Sequence, residues 1–509
     1  MFLSVLAQTA VEFQRPAIDW HALAPELVLL AAGSLLILLD VIGLDRTTRF
    51  SAMLTGMAFL APLVPIATLA IDGVAGEPRV LFGGSYVVDG YSLAVKAMFL
   101  LIGYIVVMLA TQYIAEGDYW ESEFYTMLST SVLGMLIMAS SRDLITIFVA
   151  LELLSIPAYL LAAWRKRDLK SNEAGLKYYL MGVFASAIML YGMSLVFGVT
   201  GNTRLTSIRE VLAGGLGEEP AITLGIVFVI VGFAFKVSAF PFHMWAPDTY
   251  EGAPTPVTAF LAVATKAAGF VALINLIVVG FIDRDEVYKP VIFILAAASM
   301  FAGNFMALRQ TNIVRMMAYS GVAQAGFMLA PLIVVGESPV IAQNAVTSIV
   351  TYMVIYAVMN LGVFGVIMTV ARRTRSGELE SMNGLFSYAP GLALLMTLFV
   401  ASLAGIPPLG GWFAKFGIFK ALIEADSGWG YSLAVIAALN TVIAAAYYFR
   451  LTSRMWFDDP VEDADTSSIA IPASLMAGLA ICIVGVLAFG VYPESVTHFT
   501  DVGIYTAGR

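Results

Sequence analysis

The chain has 509 residues, of which 60% are hydrophobic and 12% charged. A soluble protein carries about 25% charged residues, so this chain lacks the polar side chains to face water all round. The net charge of −9 is spread over short loops and makes no basic patch for nucleic acid.

Apolar windows centre near Leu35, Leu60, Leu101, Leu133, Leu154, Leu190, Val229, Leu273, Leu295, Ala323, Val358, Leu398, Val442 and Val484. Each is about 17–25 residues long, the length a helix needs to cross the bilayer's hydrocarbon. Lipid offers no partner for a free backbone group, so the spans are predicted to be helical. The expected fold is an all-α polytopic membrane protein of about 14 transmembrane helices. The stretch MFLSVLAQTAVEFQRP lacks a basic region before its short apolar run, which argues against a cleaved signal peptide. Between the second and third spans, VLFGGSYVVDG predicts a small hairpin on the outer surface. The loops near Asp72–Gly90 and Asn202–Pro220 are the longest, and neither has room for a soluble catalytic domain.

Basic residues sort by loop. Arg46, Arg49, Arg165, Lys166, Arg167, Lys170, Arg309, Arg315, Arg372, Arg373, Arg375, Arg450 and Arg454 all fall on odd-to-even connections. The connection between the third and fourth spans (Glu116, Asp118, Glu121, Glu123) has no base, but acids weigh little in this rule. The opposite loops hold only Arg79, Arg142, Arg204, Arg209, Arg284 and Lys289. The positive-inside rule therefore places both termini on the outer side.

Charges inside the spans carry the functional reading. Placing a lysine at mid-membrane costs on the order of 3 kcal/mol, so such residues tend to mark an ion or proton path. Lys236, Lys266 and Lys415 are embedded in apolar sequence, and Lys177 begins its span. Lys96 and Lys420 sit near span ends, where the ammonium can snorkel to the interface. Glu152 in FVALELLSIPAY stands alone mid-span and needs a proton or a lysine partner from a neighbouring helix. Glu26 and Asp40 flank the first span and are expected at the interfaces, with Glu173 solvated. A buried lysine whose proton affinity follows the distance of a carboxylate can load and release a proton.

Two spans are interrupted. The seventh ends in FPFHMWAPDTYEGAPTP, with Pro241 and Pro247, and the twelfth breaks at AGIPPLGGWFAKF, with Pro407, Pro408 and Gly410. Each break lies beside a buried lysine, Lys236 before the first and Lys415 after the second. Breaks at corresponding places suggest two inverted five-helix repeats, spans 4–8 and 9–13, around a transport path. The expected organisation is 1–123 (three helices and the hairpin), 124–285 and 286–456 (the repeats), and 457–509 (a last helix and tail). His243 and Gln324 are candidate relay residues. Three scattered histidines and the single Cys482 leave no metal cluster, and a disulfide within the chain is excluded.

The stretch FKVSAFPFHMWAPDTYEGAPTPVTAFLA resembles the signature of the antiporter-like subunits of respiratory complex I, the proton-pumping NADH–quinone oxidoreductase. Its PFHxWxPDxYEGAP form is similar to the subunit N branch, the second subunit in mitochondrial naming. The resemblance implies that Glu152 and Lys236 form a pair, that Lys177 modulates it, that Lys266 is the central lysine, and that Lys415 serves the outward half-channel. Where that family often has histidine, this chain has Gln324, which holds a hydrogen bond but carries no charge. The resemblance further implies a place in the bacterial inner membrane among other complex I membrane subunits, including neighbouring antiporter-like ones. This chain would bind no cofactor, with NADH, FMN, iron–sulfur clusters and quinone in other subunits. Two alternatives are a subunit of a multisubunit sodium/proton antiporter and a non-conducting membrane scaffold.

Overall fold

The computed structural model describes residues 18–42, 48–117, 121–461, 465–501 and 503–504. The stretch MFLSVLAQTAVEFQRP, Arg46, Asp118 and the Arg49 side chain lie outside the described residues.

Each of the fourteen apolar windows is helical. Eleven helices among the described residues are long and apolar enough to cross a membrane. They are α1 (Ala24–Val41), α2 (Phe50–Ile71, bent at Pro62) and α3 (Gly90–Ala115), then α5 (Leu144–Ala162) and α6 (Leu169–Thr200). The series continues with α9 (Thr255–Gly280), α10 (Asp285–Leu308), α11 (Ile313–Val334), α12 (Pro339–Thr374), α15 (Gly428–Phe457) and α16 (Ala473–Val491). The remaining windows fall on α4 (Glu121–Ser140) and on two short apolar helices, α7 (Pro220–Lys236) and α13 (Pro390–Ala404). Those two are first halves: α8 (Trp245–Gly252) follows α7, and α14 (Gly410–Glu424) follows α13.

Burial sorts the helices. The apolar window of α9 is 100% buried and those of α11 and α12 are 94% buried, against 22% for α1 and 28% for α16. The first three therefore form the axis, and the others present apolar faces outward, as lipid requires. Around that axis α6 packs along α7, α10 along α11, and α12 against α14 and α16.

One hydrogen-bond pattern occurs twice, at opposite ends of the bundle. Asp143 caps α5 by accepting from the Ile145 and Thr146 N–H groups, while Leu144 N donates to Thr203 O and Leu205 N to Arg142 O. Asn312 caps α11 in the same way through Val314 and Arg315, while Ile313 N donates to Gly377 O and Leu379 N to Thr311 O. Asn275 of α9 ties down the Met138 and Ser141 carbonyls, and Arg450 of α15 ties down those of Leu308 and Gln310. A Cβ at Gly134 would stand 2.6 Å from Leu154 N, and one at Gly303 2.5 Å from Ala323 N, so α4 meets α5 as closely as α10 meets α11.

The expected hairpin is present: β1 (Arg79–Leu81) pairs antiparallel with β2 (Tyr86–Val88). Gly83 and Gly84 turn the chain at φ +65° and +96°, a region open to glycine. At this end Arg79 bridges Asp19 and Asp72, each at 3.0 Å. Burial pushes the Asp19 carboxyl up, but the Ala22 N–H and the Arg79 guanidinium outweigh it and hold it below the usual carboxylate value. The Asn202–Pro220 stretch differs from the expected open loop, since it contains the helix Leu205–Ala213, capped against Gly214.

Two sequence expectations need correction. Lys96 does not snorkel: it is fully buried, with Nζ 2.9 Å from Glu26. Glu26 in turn is not at an open interface, since the Tyr86 hydroxyl donates to it at 2.8 Å. The hairpin folds over the start of α3 and seals both charges from water, so each must find the other. Arg142 and Asp89, 3.0 Å apart and both buried, make a second such pair beside it.

Candidate functional site

The basic end of the bundle holds a cavity of about 940 Å³ whose lining includes Glu116, Arg165, Glu251, Asn312, Arg372 and the buried Tyr250. Beside it an ion-pair network joins α6, α8 and α11. Lys177 contacts Glu173 and Asp248, each at 2.7 Å, and Arg315 contacts Asp248 at 2.7 Å and Glu251 at 3.0 Å. Lys177 is thus a half-exposed rim residue, 44% accessible, held by Asp248 rather than by Glu152. Glu173, expected to be solvated, is exposed but ion-paired.

At the first break the chain leaves α7 at Lys236, passes Pro241 and re-enters helix at Trp245, with Pro247 in the first turn of α8. A helix end leaves carbonyls without partners. The Trp245 indole donates to one of them, Phe235 O, at 3.0 Å. The Lys236 ammonium donates to Ser155 Oγ at 2.8 Å and Tyr178 Oη at 3.3 Å, below the Tyr159 and Tyr178 rings. Glu152, one turn from Ser155, accepts from Ser186 Oγ at 2.7 Å. Glu152 and Lys236 are thus held by separate hydroxyls and do not close as an ion pair.

The centre is Lys266. A π-helical segment, Leu261–Thr265, ends immediately before it, a distortion that recurs at functional sites. Its Nζ is buried, lies 5.8 Å from the Tyr250 ring centre and makes no hydrogen bond to the described residues. The Tyr250 hydroxyl is likewise buried and unpartnered, and the buried Tyr356 hydroxyl interacts with the Asn360 side chain. An ammonium in an apolar interior without a hydrogen-bond partner is costly.

At the second break α13 ends at Ala404, and Pro407 and Pro408 precede Gly410, the first residue of α14. Lys415 reaches back to donate to Ala404 O at 2.9 Å, so the ammonium sits on the negative end of the half-helix. Gln324 of α11 donates to Leu403 O and to Tyr448 Oη, each at 3.4 Å, and its oxygen accepts from Tyr352 Oη. Ser320 and Tyr448 hydroxyls are 2.6 Å apart.

The structure thus buries Lys236, Lys266, Lys415 and Gln324 within the bundle, and leaves Glu152 partly buried and Lys177 at the rim. His243 is buried in the first break, 6.0 Å from the Tyr319 ring, with Nδ1 unpartnered. Lys420 is 57% exposed and pairs with Glu424, as a snorkelling residue should. Sequence reasoning missed Ser155, Tyr178, Ser186, Asp248 and Arg315. Asp248 stands inside the quoted PFHMWAPDTYEGAP stretch and was findable there. No group of three or more His, Cys, Asp or Glu side chains is placed to hold a metal among the described residues.

Comparisons with known proteins agree with this geometry. Residues 141–441 match the family model described as NADH:quinone oxidoreductase/Mrp antiporter, transmembrane. NADH-quinone oxidoreductase subunit N of Trichlorobacter lovleyi is 37% identical over 96% of this chain and 97% of its own length. The subunit N of Geobacillus kaustophilus is 39% identical over 93% and 95%. A chain of respiratory complex I from Thermus thermophilus superposes with a TM-score of 0.77 at 29% identity, covering 94% of this chain and 100% of that one. A chain of the Mrp complex from Dietzia sp. shares the fold at 19% identity, with a TM-score of 0.83 over 95% of this chain and 97% of its own.

Proposed function

The chain belongs to the NADH:quinone oxidoreductase/Mrp antiporter family of membrane subunits, and from that premise we propose that it moves protons across the membrane arm of NADH–quinone oxidoreductase. It takes the place that subunit N takes in its relatives, beside other antiporter-like subunits. Redox chemistry in those partners, where NADH, FMN, iron–sulfur clusters and quinone belong, drives it; no electron passes through this chain.

The observation that carries the proton role is the line of three buried ammonium groups, Lys236, Lys266 and Lys415, each at a helix break or π-helical distortion. Glu152 and Lys236 form the first exchange step, with Lys177 and Asp248 setting the potential at the rim. Lys266 is the shared centre and Lys415 the exit. Gln324 holds the tyrosines around it in line, and His243 stands at the mouth of the first break. The recurrent caps of Asp143 and Asn312 at opposite ends support two inverted five-helix repeats, 124–285 and 286–456. They follow the 1–123 region and precede 457–509, in fourteen spans. The loop charges support an orientation with Arg165, Arg315 and Arg372 on the inner side of the bacterial inner membrane and both termini on the periplasmic side.

The test is NADH-driven proton pumping in inverted membrane vesicles carrying Lys266→Ala, with assembly of the complex followed on a native gel. An assembled complex whose pumping falls sharply supports the reading. Unchanged pumping overturns it, and loss of assembly alone favours a scaffold role.

A further inference from the structure

Gly321 of α11 lies against Lys266. A methyl group added there would stand 2.7 Å from Lys266 Nζ and 3.1 Å from Tyr356 Oη. Both of those residues are buried, at 1% and 2% exposure, and Lys266 Nζ finds no hydrogen-bond partner among the described residues. The Asn360 side chain, one turn along α12, is buried beside the Tyr356 hydroxyl and interacts with it. The Lys266 ammonium and the Tyr356 hydroxyl thus meet against a position of α11 that carries no side chain. Buried polar groups of this kind are normally satisfied by an ordered water that makes two to four hydrogen bonds.

We propose that Gly321 is a positioning residue that keeps a water site between Lys266 and Tyr356, and that Lys266 exchanges its proton through this water. The inference rests on the proposed proton role of Lys266. The water accepts a hydrogen bond from the ammonium and donates one to Tyr356 Oη, which orients it without changing its own protonation. On transfer an N–H bond of Lys266 breaks and an O–H bond forms on the water, leaving the amine neutral. The added proton then passes to the next water in line, which restores neutral H₂O at the site; reloading runs the same bonds in reverse. Gly321 lies on α11 and Lys266 on α9, so this water lies between those two helices.

Alanine is the better helix former, so a loss on Gly321→Ala does not trace to the helix itself. The experiment measures NADH-driven pumping per NADH oxidised, in vesicles with assembly checked on a native gel, for Gly321→Ala, Gly321→Ser, Tyr356→Phe and Lys266→Ala. The expected result is an assembled Gly321→Ala complex that pumps no better than Lys266→Ala, with part of the loss recovered in Gly321→Ser, whose hydroxyl replaces the water's hydrogen bonds. Wild-type pumping by Gly321→Ala beside a defective Lys266→Ala overturns the water site and leaves the role of Lys266 standing. Wild-type pumping by Lys266→Ala overturns both. A serine variant as defective as the alanine one assigns Gly321 to packing and overturns the inference. If Gly321→Ala fails to assemble, Tyr356→Phe decides: it keeps the volume and removes the hydroxyl, so lost pumping supports the water site and wild-type pumping overturns it.

Discussion

At the first break Lys236 closes α7, and its ammonium meets Ser155 and Tyr178, with Glu152 one turn away. At the second break α13 closes on Ala404, and the carbonyls there receive Gln324 and Lys415 instead. The tyrosine on the long helix recurs, as Tyr178 of α6 and Tyr352 of α12, and each faces a polar side chain on the capped helix, Ser155 or Gln324. What differs is charge. At the first break the lysine has Glu152 on a helix that also gives it Ser155; at the second, Lys415 donates to a neutral carbonyl. One scaffold thus surrounds two buried ammonium groups differently, one near a carboxylate and one at the dipole of a helix end.

The largest expected effect tests that contrast directly. Lys236→Met abolishes coupled pumping, yet removing a mid-membrane ammonium relieves a burial cost on the order of 3 kcal/mol. The detergent-solubilised protein is therefore expected to melt no lower than the parent in a thermal scan. A fall in the melting temperature shows instead that Ser155, Tyr178 and Glu152 need the lysine to hold together. Next comes Gln324. Gln324→Leu leaves the Tyr352 and Tyr448 hydroxyls without their amide partner, a loss of about 1–3 kcal/mol read by the same scan. Gln324→His keeps a partner and adds a group that titrates between roughly pH 5 and 8, so the pumping profile gains an acid limb absent from the parent.

Asp248→Asn is milder. Its carboxylate is shared by Lys177 and Arg315 across the two halves, but the group is 36% exposed, so the network is worth roughly 1 kcal/mol or less. The expected outcome is a small drop in melting temperature with a larger drop in pumping; an equal drop in both reduces the network to a clamp. The smallest effect lies outside both halves. Asp19 has a depressed folded value, so its stabilisation is complete above the ordinary carboxylate range and is lost as pH falls through the folded value. The loss is about 0.5 kcal/mol for a partly exposed pair, and Asp19→Asn removes that pH dependence from acid melts.

The three central lysines were legible because an ammonium in an apolar run has no inexpensive explanation, and the breaks were legible because proline and glycine punctuate a helix whatever surrounds it. Their partners were not. Tyr178, Tyr352 and Ser155 are ordinary residues for a packed span, and only the approach of α6 to α7 and of α12 to α11 turns them into donors and acceptors. Lys96 and Glu26 misled for a related reason. Distance from a span's end predicts snorkelling only when that end faces water, and here a hairpin covers it. Glu152 and Lys236 were read as partners, whereas the structure gives each a hydroxyl partner of its own, Ser186 for Glu152 and Ser155 for Lys236.

The π-helical turn before Lys266 has a consequence of its own. Such a turn is in effect one residue inserted into an α-helix, and each residue advances the helix by about 100°. Depth and direction are thereby uncoupled. The length of α9 sets how far into the bilayer Lys266 sits, while the extra residue sets which neighbour it faces. Deleting a single residue from Leu261–Thr265 would leave the composition and the apolar length almost unchanged while swinging everything upstream to a new bearing against Lys266. A lysine is thus re-aimed by counting residues rather than by changing chemistry.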